Sequence, residues 1–283
     1  MRQLARRIVY KGYQAKLGSA IVLVCLCVVT AYSQRQALTI SGEYQLTFWG
    51  NLLFQFNTYP FFYLFRLPIF IVASQKLFRL EKESEYIITR FTSRRLFTNR
   101  CLLDLTAFTL FYHILEVLLV AAIFLVGHVN NIDKAFAFHL SIPLQNYFNL
   151  GLDSCIDLLK LELFIFIVTV FQYLIFAKLV MLSSIRLGRS LFSTSIPFIL
   201  NFLLLILIKV DFWFRGKAIR CIFPHKNFFL NYINEYGAPG SLNSLFYPTI
   251  YWLCIIFVCG FFFYYIIERQ DFLFSPENID REE

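Results

Sequence analysis

Apolar residues gather into six long runs along this chain, separated by shorter stretches where Lys, Arg, Asn and aromatic residues mix. A helix needs roughly 20 apolar residues to cross about 30 Å of hydrocarbon. Windows of that kind fall near 17–33, 56–75, 102–127, 163–183, 191–209 and 248–267. The pattern predicts an all-α integral membrane protein with six transmembrane helices. The longest intervening stretch is about 38 residues, too short to bury a core of its own, so 1–283 reads as a single transmembrane domain.

Orientation follows from the basic residues, which cytoplasmic flanks retain and translocated ones lose. With the N-terminus inside, segments 1–16, 76–101, 184–190 and 268–283 hold 16 Lys and Arg. The outer segments 34–55, 128–162 and 210–247 hold 7, and Arg66, Lys178 and Lys209 fall within runs. Both termini are therefore expected in the cytoplasm. The rest of the composition agrees: 58% hydrophobic, 16% charged, 35 Phe and 16 Tyr, with mean hydropathy +0.62. That leaves too little polar surface for a water-soluble globule of this size. A net charge of +8 invites a nucleic-acid partner, but such a patch should cluster on one soluble face. Here it tracks the inner membrane surface, so no nucleic acid is expected.

The N-terminus imitates a secretory signal, with Arg2, Arg6 and Arg7 before a short apolar run and Ala31-Tyr32-Ser33 after it. Lys11 and Lys16 extend the basic region as an amphipathic segment, which reads as an interfacial helix leading into a retained span. Residues 211–247 interleave Phe, Trp and Tyr with Arg, Lys, Asn and His, the composition of a headgroup layer. They predict two short re-entrant helices before the last span, broken at Gly237-Ala238-Pro239-Gly240.

Candidate chemistry is sparse. Seven cysteines are scattered without C-x-x-C spacing, and four histidines are dispersed, so no metal site is expected. Most of the cysteines are small apolar residues within runs, with only Cys155 and Cys221 outside them as a conceivable pair. Protease and hydrolase signatures are absent, and so is the phosphate-cradling G-x-x-x-x-G-K-[ST] loop. Any nucleotide chemistry belongs to another polypeptide. Charges inside spans are costly and are the default functional candidates. Arg66 and Glu116 both lie near mid-depth of neighbouring spans, which predicts an ion pair, structural first and alternatively part of a passage for cargo. His113 reads as an interhelical hydrogen-bonder, Lys178 and Lys209 as side chains that snorkel to the surface, and Asp104 as a surface or helix-start carboxylate.

The inner segment 79–100 is amphipathic. Tyr86, Ile87, Phe91 and Leu96 recur near helical spacing while Glu83, Arg90, Arg94 and Arg95 take other faces. The run Glu85-Tyr86-Ile87-Ile88-Thr89-Arg90-Phe91-Thr92-Ser93-Arg94-Arg95, preceded by Leu67-Pro68-Ile69-Phe70, resembles the first cytoplasmic loop of permeases in the type-2 ABC exporter family of Gram-positive bacteria. Six spans, inner termini, an amphipathic first helix and a re-entrant pair extend the likeness over nearly the whole chain.

The resemblance implies that Glu83, Glu85, Tyr86, Arg90, Ser93, Arg94 and Arg95 form a coupling helix seated in a groove of a separate ATPase subunit. It implies a second permease subunit, identical or related, in a bacterial cytoplasmic membrane. ATP and Mg would bind the partner, this chain would hold no cofactor and catalyse nothing, and the cargo would be an amphipathic peptide, bacteriocin or lipophilic drug moved outward. The alternative is a non-transporting immunity or assembly protein that binds a peptide or partner in the bilayer.

Overall fold

Helix α1 (Arg2–Ser41) runs unbroken through the basic N-terminal segment and the first apolar run. The separate interfacial helix expected at 1–16 is the first part of this longer one. Gly12 and Gly18 are single weak formers within it, and a lone glycine costs a helix only about 1 kcal/mol. Residues 34–41, expected in an outer loop, are helical as well. Gly42 then ends α1: its φ of 59° is a left-handed value that glycine adopts without steric cost. From there its N–H closes on the Leu38 carbonyl at 3.1 Å, as helix C-terminal glycines do.

The computed structural model describes residues 2–42, 46–82, 94–127, 140–148, 155–187, 190–210, 224–227, 229 and 245–269. Among them every regular element is helical. After α1 come α2 (Phe48–Asn57), a single turn α3 (Tyr59–Phe61), a π-helical turn (Phe62–Arg66) and α4 (Leu67–Lys82). Next are α5 (Arg94–Gly127), the short α6 (Ile142–Tyr147) and α7 (Cys155–Leu187). The chain continues through α8 (Ser190–Val210), a 3₁₀ turn (Pro224–Asn227) and α9 (Phe246–Arg269).

Four segments are long and apolar enough to cross a membrane: Ala20–Ser41, Thr98–Gly127, Leu158–Ser183 and Tyr247–Ile266. These make the chain a multi-pass membrane protein. The second run, expected as one span over 56–75, is instead a bent pair. Phe48–Asn57 and Phe62–Gln75 meet at 65° and count as a fifth crossing if taken together. Thr47 starts α2 by accepting the Gly50 N–H at 3.2 Å, the usual N-cap bond. The expected run at 191–209 is α8, whose described apolar part Thr194–Leu207 is shorter than a span.

Helix α7 is central and packs against α8, α4, α5, α9 and α2. Its inward side is aromatic, with Tyr173 stacked on Phe70 at 4.4 Å and on Phe62 at 5.6 Å between ring centroids. Leu103, Phe111, Leu118 and Val126 on α5, and Phe257 and Phe261 on α9, face outward, where lipid is their natural solvent. The expected coupling helix lies over residues 83–93, outside the described residues. The same holds for most of the re-entrant segment and for Cys221.

Candidate functional site

The bend in the second run creates a local problem. In the π-turn the Leu67 N–H reaches back to the Phe62 carbonyl, five residues instead of four. Continuing that register, the Tyr63 carbonyl would need an N–H from residue 68, and Pro68 has none. Asn201 of α8 supplies the missing donor: its Nδ2 lies 2.8 Å from the Tyr63 oxygen. Substitution of one helix's lost bond by a neighbour's side chain is the way membrane helices tolerate proline.

The π-turn also aims Arg66 into the bundle, where it is completely buried. Its Nη1 donates to Glu116 Oε1 of α5 at 3.2 Å. Nη2 donates to Gln55 Oε1 of α2 and, at 3.5 Å, to Thr30 Oγ1 of α1. The guanidinium carbon stands 4.4 Å from the Phe56 ring centroid, within cation–π range. The second carboxylate oxygen of Glu116 accepts from the Tyr173 hydroxyl of α7 at 2.9 Å and faces His113 Nδ1 at 3.4 Å. Gln55 Nε2 in turn donates to the Thr30 carbonyl at 2.9 Å and contacts Asn51 Oδ1 at 3.4 Å.

One network thus ties α1, α2, the π-turn, α5 and α7 together near the middle of the bundle. Opposite charges neutralise each other there, and most lone pairs and protons are used, which is what a buried pair needs to offset desolvation. No protein family, curated protein or solved structure matches this chain. The chemistry of the site therefore has to be read from its own residues. Three functions are open to such a junction: bracing helices, switching between two arrangements, or exchanging partners with a polar ligand. Among the described residues no group of His, Cys, Asp and Glu could hold a metal ion.

Of the residues singled out by sequence, Arg66 and Glu116 are brought together. Arg94 and Arg95 begin α5, with their side chains outside the described part, and Glu83, Glu85, Tyr86, Arg90 and Ser93 lie in 83–93. Asp104 pairs at 3.0 Å with Arg100 one turn earlier on the exposed side of α5. Lys178 does not snorkel. It is 6% exposed and turns toward α9, its Nζ 3.6 Å from where a side chain on Gly260 would begin. Because α7 is surrounded, its stem has no route to the surface on that side. Lys209 has no described side chain.

Sequence reasoning missed Thr30, Gln55, Tyr173 and Glu162. Glu162 lies in the span Leu158–Ser183, 7% exposed with Oε1 unpartnered. It fell one residue outside the expected run 163–183. Gln55 was assigned to an outer loop because the run was started at 56. The usable signal was charge or amide next to an uncertain span boundary.

Proposed function

We propose that this chain is the permease subunit of a bacterial ABC exporter, with six crossings and both termini in the cytoplasm. It would pair with a second permease subunit and with separate ATPase subunits that bind ATP and Mg. The cargo is an amphipathic peptide, bacteriocin or lipophilic drug carried outward. The observation that carries a transport reading is the buried Arg66–Glu116 junction. An ionic network shared by so many helices at mid-depth is costly in a membrane and belongs where charged groups serve a pathway or a moving part.

The exporter class rests on the resemblance of residues 85–95. Topology supports it further. α8 begins three residues after α7 ends and packs along it, so a return across the membrane makes six crossings with the bent pair. At 1.5 Å per residue, the 21 residues of α8 reach about 31 Å. In this reading closure of the ATPase dimer pushes on 83–95, and α4 and α5, which leave that segment, transmit the motion to the junction. Coupling of this kind needs a two-state element biased from a second site, and the bent helix pair is such an element.

Purification of the full chain from its native membrane in mild detergent tests the reading. An ATPase subunit should accompany it, and the complex should hydrolyse ATP. A chain isolated alone, with no ATPase at any detergent strength that preserves its helices, overturns the exporter assignment and leaves the non-transporting reading.

A further inference from the structure

Helix α1 presents a polar face to its neighbours. Thr30, Ser33, Gln34 and Ser41 are all buried and fall within an arc of about 100° at 3.6 residues per turn. They look onto α2 and α5: Gln55 bonds to the Thr30 carbonyl, and Gln34 Nε2 lies 3.3 Å from where a side chain on Gly127 would begin. On α2, Asn51 and Gln55 continue the seam down to Arg66.

Much of this seam is unsatisfied. Ser33 Oγ, Gln34 Oε1, Ser41 Oγ, Asn51 Nδ2, Thr58 Oγ1 and Arg66 Nε are buried and have no hydrogen-bond partner. Elsewhere the chain avoids this. Thr39, Thr106 and Thr249 each return their hydroxyl to the carbonyl four residues earlier, at 3.0, 2.7 and 2.7 Å. The serines of the seam have the same option and do not take it. An unmade buried bond costs stability, and in hydrocarbon no surrounding solvent relieves that cost. Natural sequences keep such defects where function uses them.

We infer that this seam is a binding site for a neutral chain of alternating hydrogen-bond donors and acceptors, namely a peptide main chain, recognised through its amides and not through its side chains. The unpartnered atoms are of both kinds: Asn51 Nδ2 and Arg66 Nε donate, Gln34 Oε1 accepts, and the hydroxyls do either. The seam has no net charge, because Glu116 neutralises Arg66. It is also long enough. From Ser41 to Thr30 is about 16 Å along α1, the span of roughly five extended residues at 3.3 Å each. In this structure the walls touch, so occupancy requires α2 to swing from α1, with the break at Thr58 as its pivot. The inference rests on the exporter reading only in taking a peptide as the occupant.

The test uses the full chain alone in nanodiscs, so its outcome is independent of ATPase co-purification. The probe is an acetylated pentapeptide amide with a central benzophenone residue, competed by the unlabelled peptide and by its fully N-methylated form, which has no main-chain donors. Labelling should map to α1 or α2 and should yield to the parent peptide but not to the N-methylated one. In Q34L/N51L labelling should fall about tenfold while the thermal midpoint stays level or rises, since removing unpartnered polar atoms removes a cost. Unchanged labelling in that variant, or equal competition by the N-methylated peptide, overturns the proposal. If Q34L/N51L fails to fold, S33A/S41A, which deletes two hydroxyls and little volume, is read by the same labelling and the same criteria.

Discussion

At the scale of residues, the junction separates what sequence announces from what it hides. A charge inside an apolar run is conspicuous because it is so costly, and Arg66 and Glu116 were legible as a pair for that reason. Thr30, Gln55 and Tyr173 bond them just as directly, yet uncharged polar residues and tyrosines are common in membrane helices and carry no such flag. Glu116→Gln leaves the Arg66 charge buried and uncompensated, and the loss should be about 3–5 kcal/mol, measured by unfolding in mild detergent. R66M/E116M removes both charges at similar volume and should recover most of that loss. If the double variant is no more stable than the single one, the pair is not energetically coupled. A double variant that folds but does not transport assigns the pair a role beyond bracing. Glu162 makes the opposite case, since its buried carboxyl has an unpartnered oxygen. Glu162→Gln should therefore leave stability unchanged or raise it by about 1 kcal/mol, and a clear loss would mean that the carboxylate has a partner that its surroundings do not reveal.

At the scale of elements, the long apolar helices were readable from hydropathy, with 102–127, 163–183 and 248–267 each lying within or across a helix of similar extent. The second run was not. Its sequence is apolar on both sides of residue 58, so composition merges α2 with α4, and only backbone geometry reveals the 65° bend. Pro60 and Pro68 were visible but do not say in which direction, or with what partner, a helix breaks. That partner comes from 138 residues away, where Asn201 donates to the Tyr63 carbonyl. Asn201→Leu strips the carbonyl of its donor and should cost about 1–3 kcal/mol. Pro68→Ala restores an N–H at the position where the π register needs one. In the Pro68→Ala background Asn201→Leu should therefore cost markedly less, a non-additivity that a double-mutant cycle resolves. Additive losses would show that Asn201 stabilises α8 by other means and that the proline is not what leaves Tyr63 without a donor.

At the scale of the whole molecule, the proposed mechanism depends on which side of the membrane each helix end occupies and on what meets the ends of α4 and α5. Both helices run past their apolar portions, α4 from Gln75 to Lys82 and α5 back from Thr98 to Arg94. They carry the basic residues that assign this end to the cytoplasm. With native cysteines replaced, a cysteine at Ser84 should resist impermeant reagent applied to intact cells and react in inverted vesicles. Reaction from outside would invert the whole arrangement. If the side is right, residues 83–95 are the polar surface between the two helices that a soluble partner can reach. R90E/R94E reverses charge there, and like charges opposed across an interface cost several kcal/mol. Insertion should survive, because segment 76–101 keeps five of its seven basic residues and the orientation signal is spread over all inner segments. Unfolding stability should be unchanged, since Arg66, Glu116 and their partners are untouched. ATPase association and ATP-dependent export should then fall together. Should the double variant keep its ATPase and its transport at the level of the parent, the segment is a basic flank attracted to anionic lipid, and the resemblance on which the exporter assignment rests loses its mechanical meaning.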